Sequence, residues 1–185
     1  MATTLASIEG FCDFDDLYAA CVDAAPKTGA YFVECGTYHG RSAYVMGTLI
    51  QASGKAIRFD TWDNYLGTNP GHGQPDWVLV DQAEVRATLA GLPVRVCVGD
   101  ALAAAATYTD ESLDLVFLDD DHSAAHVYRE CKAWWPKVKA GGLLAGHDFC
   151  WPTVEAGVRQ WAREQRLRVT PRSRTSWGLT KARSL

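Results

Sequence analysis

Glu34-Cys35-Gly36-Thr37-Tyr38-His39-Gly40-Arg41-Ser42 follows the apolar run Tyr31-Phe32-Val33 and leads into a helical pattern over 42–52 that Gly54 closes. Strand, glycine turn and helix in that order are the unit from which open α/β sheets are built. A missing side chain at Gly36 lets the backbone approach a ligand. The amides beyond Gly40 offer donors to a carboxylate or phosphate. The spacing departs from the dinucleotide pattern Gly-x-Gly-x-x-Gly, because three residues separate the glycines and an acid, Glu34, precedes them. An acid there repels a pyrophosphate and suits a cationic amino-acid moiety.

Working outward, the spacing predicts a helix over 8–25 that covers the sheet edge, and strands over 31–34, 56–60, 94–98, 113–118 and 143–145. Helices are expected over 77–89, 101–106, 124–135 and 152–165. Gly141-Gly142 reads as a turn. The stretch 61–75, rich in Gly, Pro, Asn and aromatics, reads as a long functional loop whose Trp62 and Tyr65, with Trp77 beyond it, are pocket-lining candidates. The final strands, 167–170 and 176–181, lack a helix between them and suggest an antiparallel hairpin. One domain is expected over 1–185, with 1–30 a helical cover and 31–185 a Rossmann-like core.

A chain of 185 residues with 48% hydrophobic content can bury a substantial core, and a formal charge of −4 gives no global drive toward nucleic acid or anionic lipid. No apolar stretch reaches the roughly 20 residues of a membrane helix. Six cysteines without a Cys-x-x-Cys pair read as reduced thiols packed in apolar segments, so a cytoplasmic protein with no disulfide framework is expected.

Acidic residues follow the apolar runs. Asp60 suits the hydroxyls of a ribose, and Asp100 suits the neighbourhood of an adenine. Asp119 ends one strand and His147-Asp148 the next, so these side chains can share a cation. Oxygen ligands favour Mg²⁺, Mn²⁺ or Ca²⁺, while a histidine shifts preference toward Mn²⁺, Fe²⁺ or Zn²⁺, which leaves the metal open at this stage. Asp121 and His122 are candidates for catalysis, with a neutral imidazole as general base. Against this stands plain capping of the helix that begins near Ser123. Asp120 reads as structural or solvent-facing and His126 as a packing or surface residue, since the glutamate of a helical zinc pair is missing between His122 and His126. His39 and His72 read as loop histidines.

Taken in order, Val33-Glu34-Cys35-Gly36 with Gly40 and Ser42, Phe59-Asp60-Thr61-Trp62, Gly99-Asp100-Ala101, Phe117-Leu118-Asp119 with Asp121-His122, and Gly141 through Asp148 resemble the class I S-adenosylmethionine-dependent methyltransferases. The likeness spans about 31–165 and is nearest the small O-methyltransferases, a group with catechol, macrolide-sugar and cephalosporin-pathway members. It implies a seven-stranded sheet of order 3-2-1-4-5-7-6 whose last strand is antiparallel. It also implies S-adenosylmethionine held by Glu34, Gly36, Gly40, Ser42, Asp60, Asp100, Ala101 and Asp119. Where present, a divalent cation (Mg²⁺ or Mn²⁺) would be bound by Asp119, His147 and Asp148, and His122 would take the acceptor's proton. Two features depart from the pattern: His147 stands where an acid or amide is usual, and Asp120 where glycine is.

The expected partner is a hydroxylated small molecule, such as a sugar or natural-product intermediate, with neither nucleic acid nor membrane involved and a homodimer contact offered by the N-terminal helix. Two other readings use the same residues. One is a metal-dependent hydrolase built on Asp119, Asp121, His122, His147 and Asp148. The other is a silent nucleotide-binding module.

Overall fold

The structure, a computed structural model, describes residues 4–66 and 79–183. Among these residues, seven strands form one sheet: β1 (Thr28–Cys35), β2 (Ala56–Asp63), β3 (Arg95–Val98), β4 (Leu113–Leu118), β5 (Val138–Gly146), β6 (Thr170–Pro171) and β7 (Trp177–Thr180). Their order is β3-β2-β1-β4-β5-β7-β6, the order implied by the resemblance. The first five pair in parallel, whereas β7 runs antiparallel to both β5 and β6.

Among the described residues, six α-helices flank the sheet: α1 (Asp15–Ala24), α2 (Arg41–Ser53), α3 (Gln82–Thr88), α4 (Ala101–Ala104), α5 (Ala124–Trp134) and α6 (Pro152–Glu164). Period-2 alternation sends neighbouring strand residues to opposite faces, so each face carries its own core. On one face Phe32, Leu115 and Phe117 meet Phe14, Tyr18, Met46, Ile50 and Leu89 of the N-terminal half. On the other, Val33, Val116 and Leu144 meet Val127, Trp134, Val158 and Trp161. The stripe Val127, Cys131 and Trp134 on α5 has helical spacing, which is why that helix packs along one side.

Several boundaries differ from the sequence reading, each for a physical reason. The first helix does not begin at Ile8 but at Asp15. It lies on a face of the sheet, not its edge, with the Phe14 ring 4.4 Å from that of Phe117. Among the described residues, α3 starts only at Gln82, where Asp81 accepts a hydrogen bond from the Ala83 amide at 2.8 Å and caps the helix. Most of the expected 61–75 loop, with His72, lies outside the described residues, as does Trp77. Gly141-Gly142 is not a turn between elements: it lies inside β5, where the register against β4 shifts between Leu113 and Leu115 and absorbs the irregularity.

The parallel register sets up one rim. Cys35 stands opposite Trp62 on one side and Leu118 on the other, and Leu118 stands opposite Gly146. The next residues, Gly36, Asp63, Asp119 and His147, therefore line up side by side at the carboxyl ends of four adjacent strands.

Candidate active site

At the β1 end, Glu34 is 1% exposed and both its oxygens are engaged. Tyr18 donates to Oε2 at 2.5 Å and Thr61 to Oε1 at 2.7 Å. Ser42, buried at the start of α2, also donates toward it. Burial pushes the carboxyl up to about 7 against these hydrogen bonds. Glu34 thus ties α1, β2 and α2 together beneath the glycine turn. Gly40 adopts the left-handed conformation (φ 85) at the N-cap of α2, packed under Val85 and Leu89.

The role expected of Gly36 changes in detail. It has φ 94, and a Cβ there would sit 2.0 Å from the Asp119 carbonyl oxygen. Its missing side chain makes room for the neighbouring chain and brings the Asp119 segment against the turn.

Asp60 was expected at the end of β2, but the strand continues to Asp63 and Asp60 lies within it. Its side chain, 3% exposed, is held by Arg95, by Tyr31 and, at 2.7 Å, by Tyr108. Burial works against the charge, but these donors, Arg95 foremost, hold the carboxyl below its usual range. The acid at the mouth of the strand is Asp63, which the sequence reading passed over. Its Oδ2 accepts from the Thr37 and Tyr38 amides at 3.1 and 2.8 Å, and its Oδ1 from the Tyr65 amide at 2.8 Å. Asp100 is exposed at the β3–α4 junction and caps α4 through the Ala103 amide at 2.9 Å, with Ala101 buried behind it.

At the β4 and β5 ends, four expected residues meet. His122 Nε2 lies 2.7 Å from Asp148 Oδ2 and 3.7 Å from Asp119 Oδ1. His147 Nδ1 lies 3.3 Å from the same Asp148 oxygen and 3.5 Å from Asp119 Oδ1. The other ring nitrogen of His147 is 2.8 Å from Asp13 Oδ1, an acid of the N-terminal segment that no local pattern marks. Asp148 sits at φ 50, as Tyr38 does at φ 49. Left-handed backbone at residues other than glycine is costly and tends to gather at functional sites. Asp121 is exposed, and its Oδ1 accepts from the Ser123 amide at 2.7 Å, so in this structure it shapes the turn into α5. His39 lies 3.7 Å from Glu9 and edge-on to Tyr38.

Burial opposes charge on both site histidines, but the hydrogen bonds and charges of Asp119 and Asp148 prevail. They push His122 up to about 10 and His147 up to about 11, and Asp148 is held far below the usual carboxylate range. The two carboxylates thus favour the imidazolium form of His122 over the neutral base expected from sequence. The sign for stability follows. A histidine whose folded value exceeds its unfolded 6.5 contributes fully below about 6.5 and loses that contribution as pH rises through about 10 to 11. Urea melts in chelator are expected to show stability falling between pH 7 and 10, with a flatter profile for Asp148→Asn.

Asp119, His122 and Asp148 bring one ligand atom each to within 4.8 Å of one another. Two carboxylates and an imidazole fit a divalent cation, and the nitrogen donor favours Mn²⁺, Fe²⁺ or Zn²⁺ over Mg²⁺. His122 belongs to this triad by geometry. His147, expected as a ligand, flanks it and is anchored from behind by Asp13.

The fold and its rim define an α/β enzyme of the Rossmann-like methyltransferase type. A family model described as a methyltransferase domain matches residues 33–149, and the chain belongs to that family. No curated protein sequence matches it. Among solved structures, the chain is similar to the O-methyltransferase NovP, at 18% identity over 91% of this chain and 79% of that one, with a TM-score of 0.72. It is also similar to the calicheamicin methyltransferase CalS11, at 14% identity over 90% and 76%, with a TM-score of 0.68. TomG of Streptomyces achromogenes, an O-methyltransferase of tomaymycin synthesis solved in complex with SAM, matches at 14% identity over 95% and 82%, with a TM-score of 0.61.

Proposed function

We propose that this enzyme moves a methyl group from S-adenosylmethionine to a hydroxyl oxygen of a small molecule. The observation that carries this reading is the convergence of Asp119, His122, His147 and Asp148 on the same rim as the Gly36 turn. The named O-methyltransferases among the structural neighbours support the oxygen acceptor and the donor. S-adenosylmethionine, when bound, supplies an electrophilic methyl group whose carbon–sulfur bond breaks as the new carbon–oxygen bond forms. A divalent cation held by Asp119, His122 and Asp148 would lower the pKa of an acceptor hydroxyl beside it.

The chain's own residues divide the work. The Gly36 turn, pinned by Asp63 through two of its amides, holds the donor's amino-acid end. Glu34 supports that turn from beneath, and Asp100 with Ala101 borders the adenine end. At the acceptor side, Asp148 and Asp119 balance charge on the two imidazoles, and Asp13 fixes the tilt of His147. A cation held there would occupy His122 Nε2, so the hydroxyl proton passes to His122 Nε2 only when that nitrogen is neutral and carries no metal, with Asp148 beside it at 2.7 Å.

Calorimetry with S-adenosylmethionine and S-adenosylhomocysteine tests the donor, and no heat from either at millimolar concentration would remove the reading. Asp63→Ala is expected to weaken S-adenosylhomocysteine by about tenfold or more, since each tenfold is about 1.4 kcal/mol and three amides lose their acceptor. Asp60→Asn is expected to lower the melting temperature more than the affinity. The reverse pattern would return the ribose contact to Asp60.

A further inference from the structure

Behind the rim, the loop from β4 to α5 turns a second set of side chains inward. Asp120, His126 and Glu130 bring one ligand atom each to within 4.8 Å of one another. His126 and Glu130 stand one turn apart on α5 and so share a face. His126 Nε2 lies 3.5 Å from Asp120 Oδ1 and 3.9 Å from Glu130 Oε2. Neither acid has a lysine or arginine partner among the described residues.

Glu130 supplies an independent sign that something is missing from this cluster. It is 1% exposed, no donor reaches its Oε1, and its carboxyl faces that of Asp120, so the pair needs a shared proton or a cation. With Asp120 it lines one side of a small cavity whose other side is formed by Asp119, His122 and His147 of the rim. Buried carboxylate oxygens are costly unless a donor or a cation satisfies them, and nearly all in folded proteins are satisfied.

We infer that Asp120, His126 and Glu130 form a second metal centre, which binds a first-row divalent cation of the Zn²⁺ type. One imidazole and two carboxylates suit such an ion better than Mg²⁺ or Ca²⁺. Its place explains what it does: it ties α5 to the loop that carries Asp119, Asp121 and His122, and so fixes the acceptor end of the rim from behind. The inference does not depend on the methyl-transfer reading.

The test is calorimetric titration of the chelator-stripped full chain with ZnCl₂ alone, with circular dichroism to confirm folding. Asp148→Asn, which disables the rim cluster, is expected to keep one Zn²⁺ site. Adding His126→Ala or Glu130→Gln should weaken that site by about tenfold or more, as loss of a ligand does. His126→Ala in the otherwise unaltered chain should remove one equivalent of Zn²⁺, whether the unaltered chain binds two ions or one. That arm keeps the test decisive should Asp148→Asn fail to fold. Zinc binding unchanged in stoichiometry and affinity by His126→Ala and Glu130→Gln would overturn the inference, as would absence of any zinc binding. Either result would leave the cluster as a packed ion pair beside a protonated acid.

Discussion

Methyl transfer is expected to fall by about 100- to 10,000-fold in His122→Ala, the span associated with losing a positioned proton acceptor. The affinity for S-adenosylhomocysteine should change little. The split follows from geometry, because His122 touches Asp148 and Asp119 at the β4 and β5 ends while the turn that takes the donor is built from β1 and β2. Asp148→Asn should cut turnover comparably, since it removes both a cation ligand and the main partner of His122. In that variant one carboxylate no longer holds the imidazolium, so the His122 value drops from about 10 toward the ordinary histidine range. The rising limb of the residual rate, which follows deprotonation of His122, should then move to lower pH. Single-turnover rates beside calorimetric affinities measure both quantities. Turnover unchanged in both variants would refute the division of roles.

Gly36→Ala is expected to be the most damaging single methyl group in the protein, costing about 4 kcal/mol or more, within the range reserved for forced backbone movement. Two penalties add. A Cβ would lie 2.0 Å from the Asp119 carbonyl oxygen and 2.5 Å from its carbonyl carbon, so one of two adjacent central strands must move. The residue also sits at φ 94, where an L side chain is strained. Movement would break the Asp119 amide's 2.9 Å bond to the Cys35 carbonyl and shift the acceptor carboxylate with it. A denaturation midpoint close to that of the parent would show that the Asp119 segment yields easily. The rim would then be looser than described.

Much of this was legible in the order of residues. The bounds of β4, 113–118, follow from an apolar run between Ser112 and the acidic cluster, and α5 ends one residue short of the expected 124–135, because Ser123 caps it and Pro136 follows. The sheet order came from the five ordered motifs, not from periodicity. What stayed hidden depended on long-range pairing. β2 overran its expected end because β3 pairs with it through Asp63, a contact that no local pattern encodes. Asp63 therefore reads from sequence as a loop residue and not as an acid of the rim. Asp60 reads from sequence as a free acid at a strand end because its partners Arg95, Tyr31 and Tyr108 come from distant segments. Asp13 reaches His147 across most of the chain. Glu130 did leave a trace, four residues after His126, but only the inward turn of Asp120 makes that spacing meaningful.

The shared rim is tested most directly by a crystal structure of the protein with S-adenosylhomocysteine bound. Its sulfur should face the space bounded by Asp119, His122 and Asp148, with its amino-acid end on the Gly36 turn. A sulfur pointing away from those three side chains, or the nucleoside seated off the carboxyl ends of β1 and β2, would contradict the proposed chemistry.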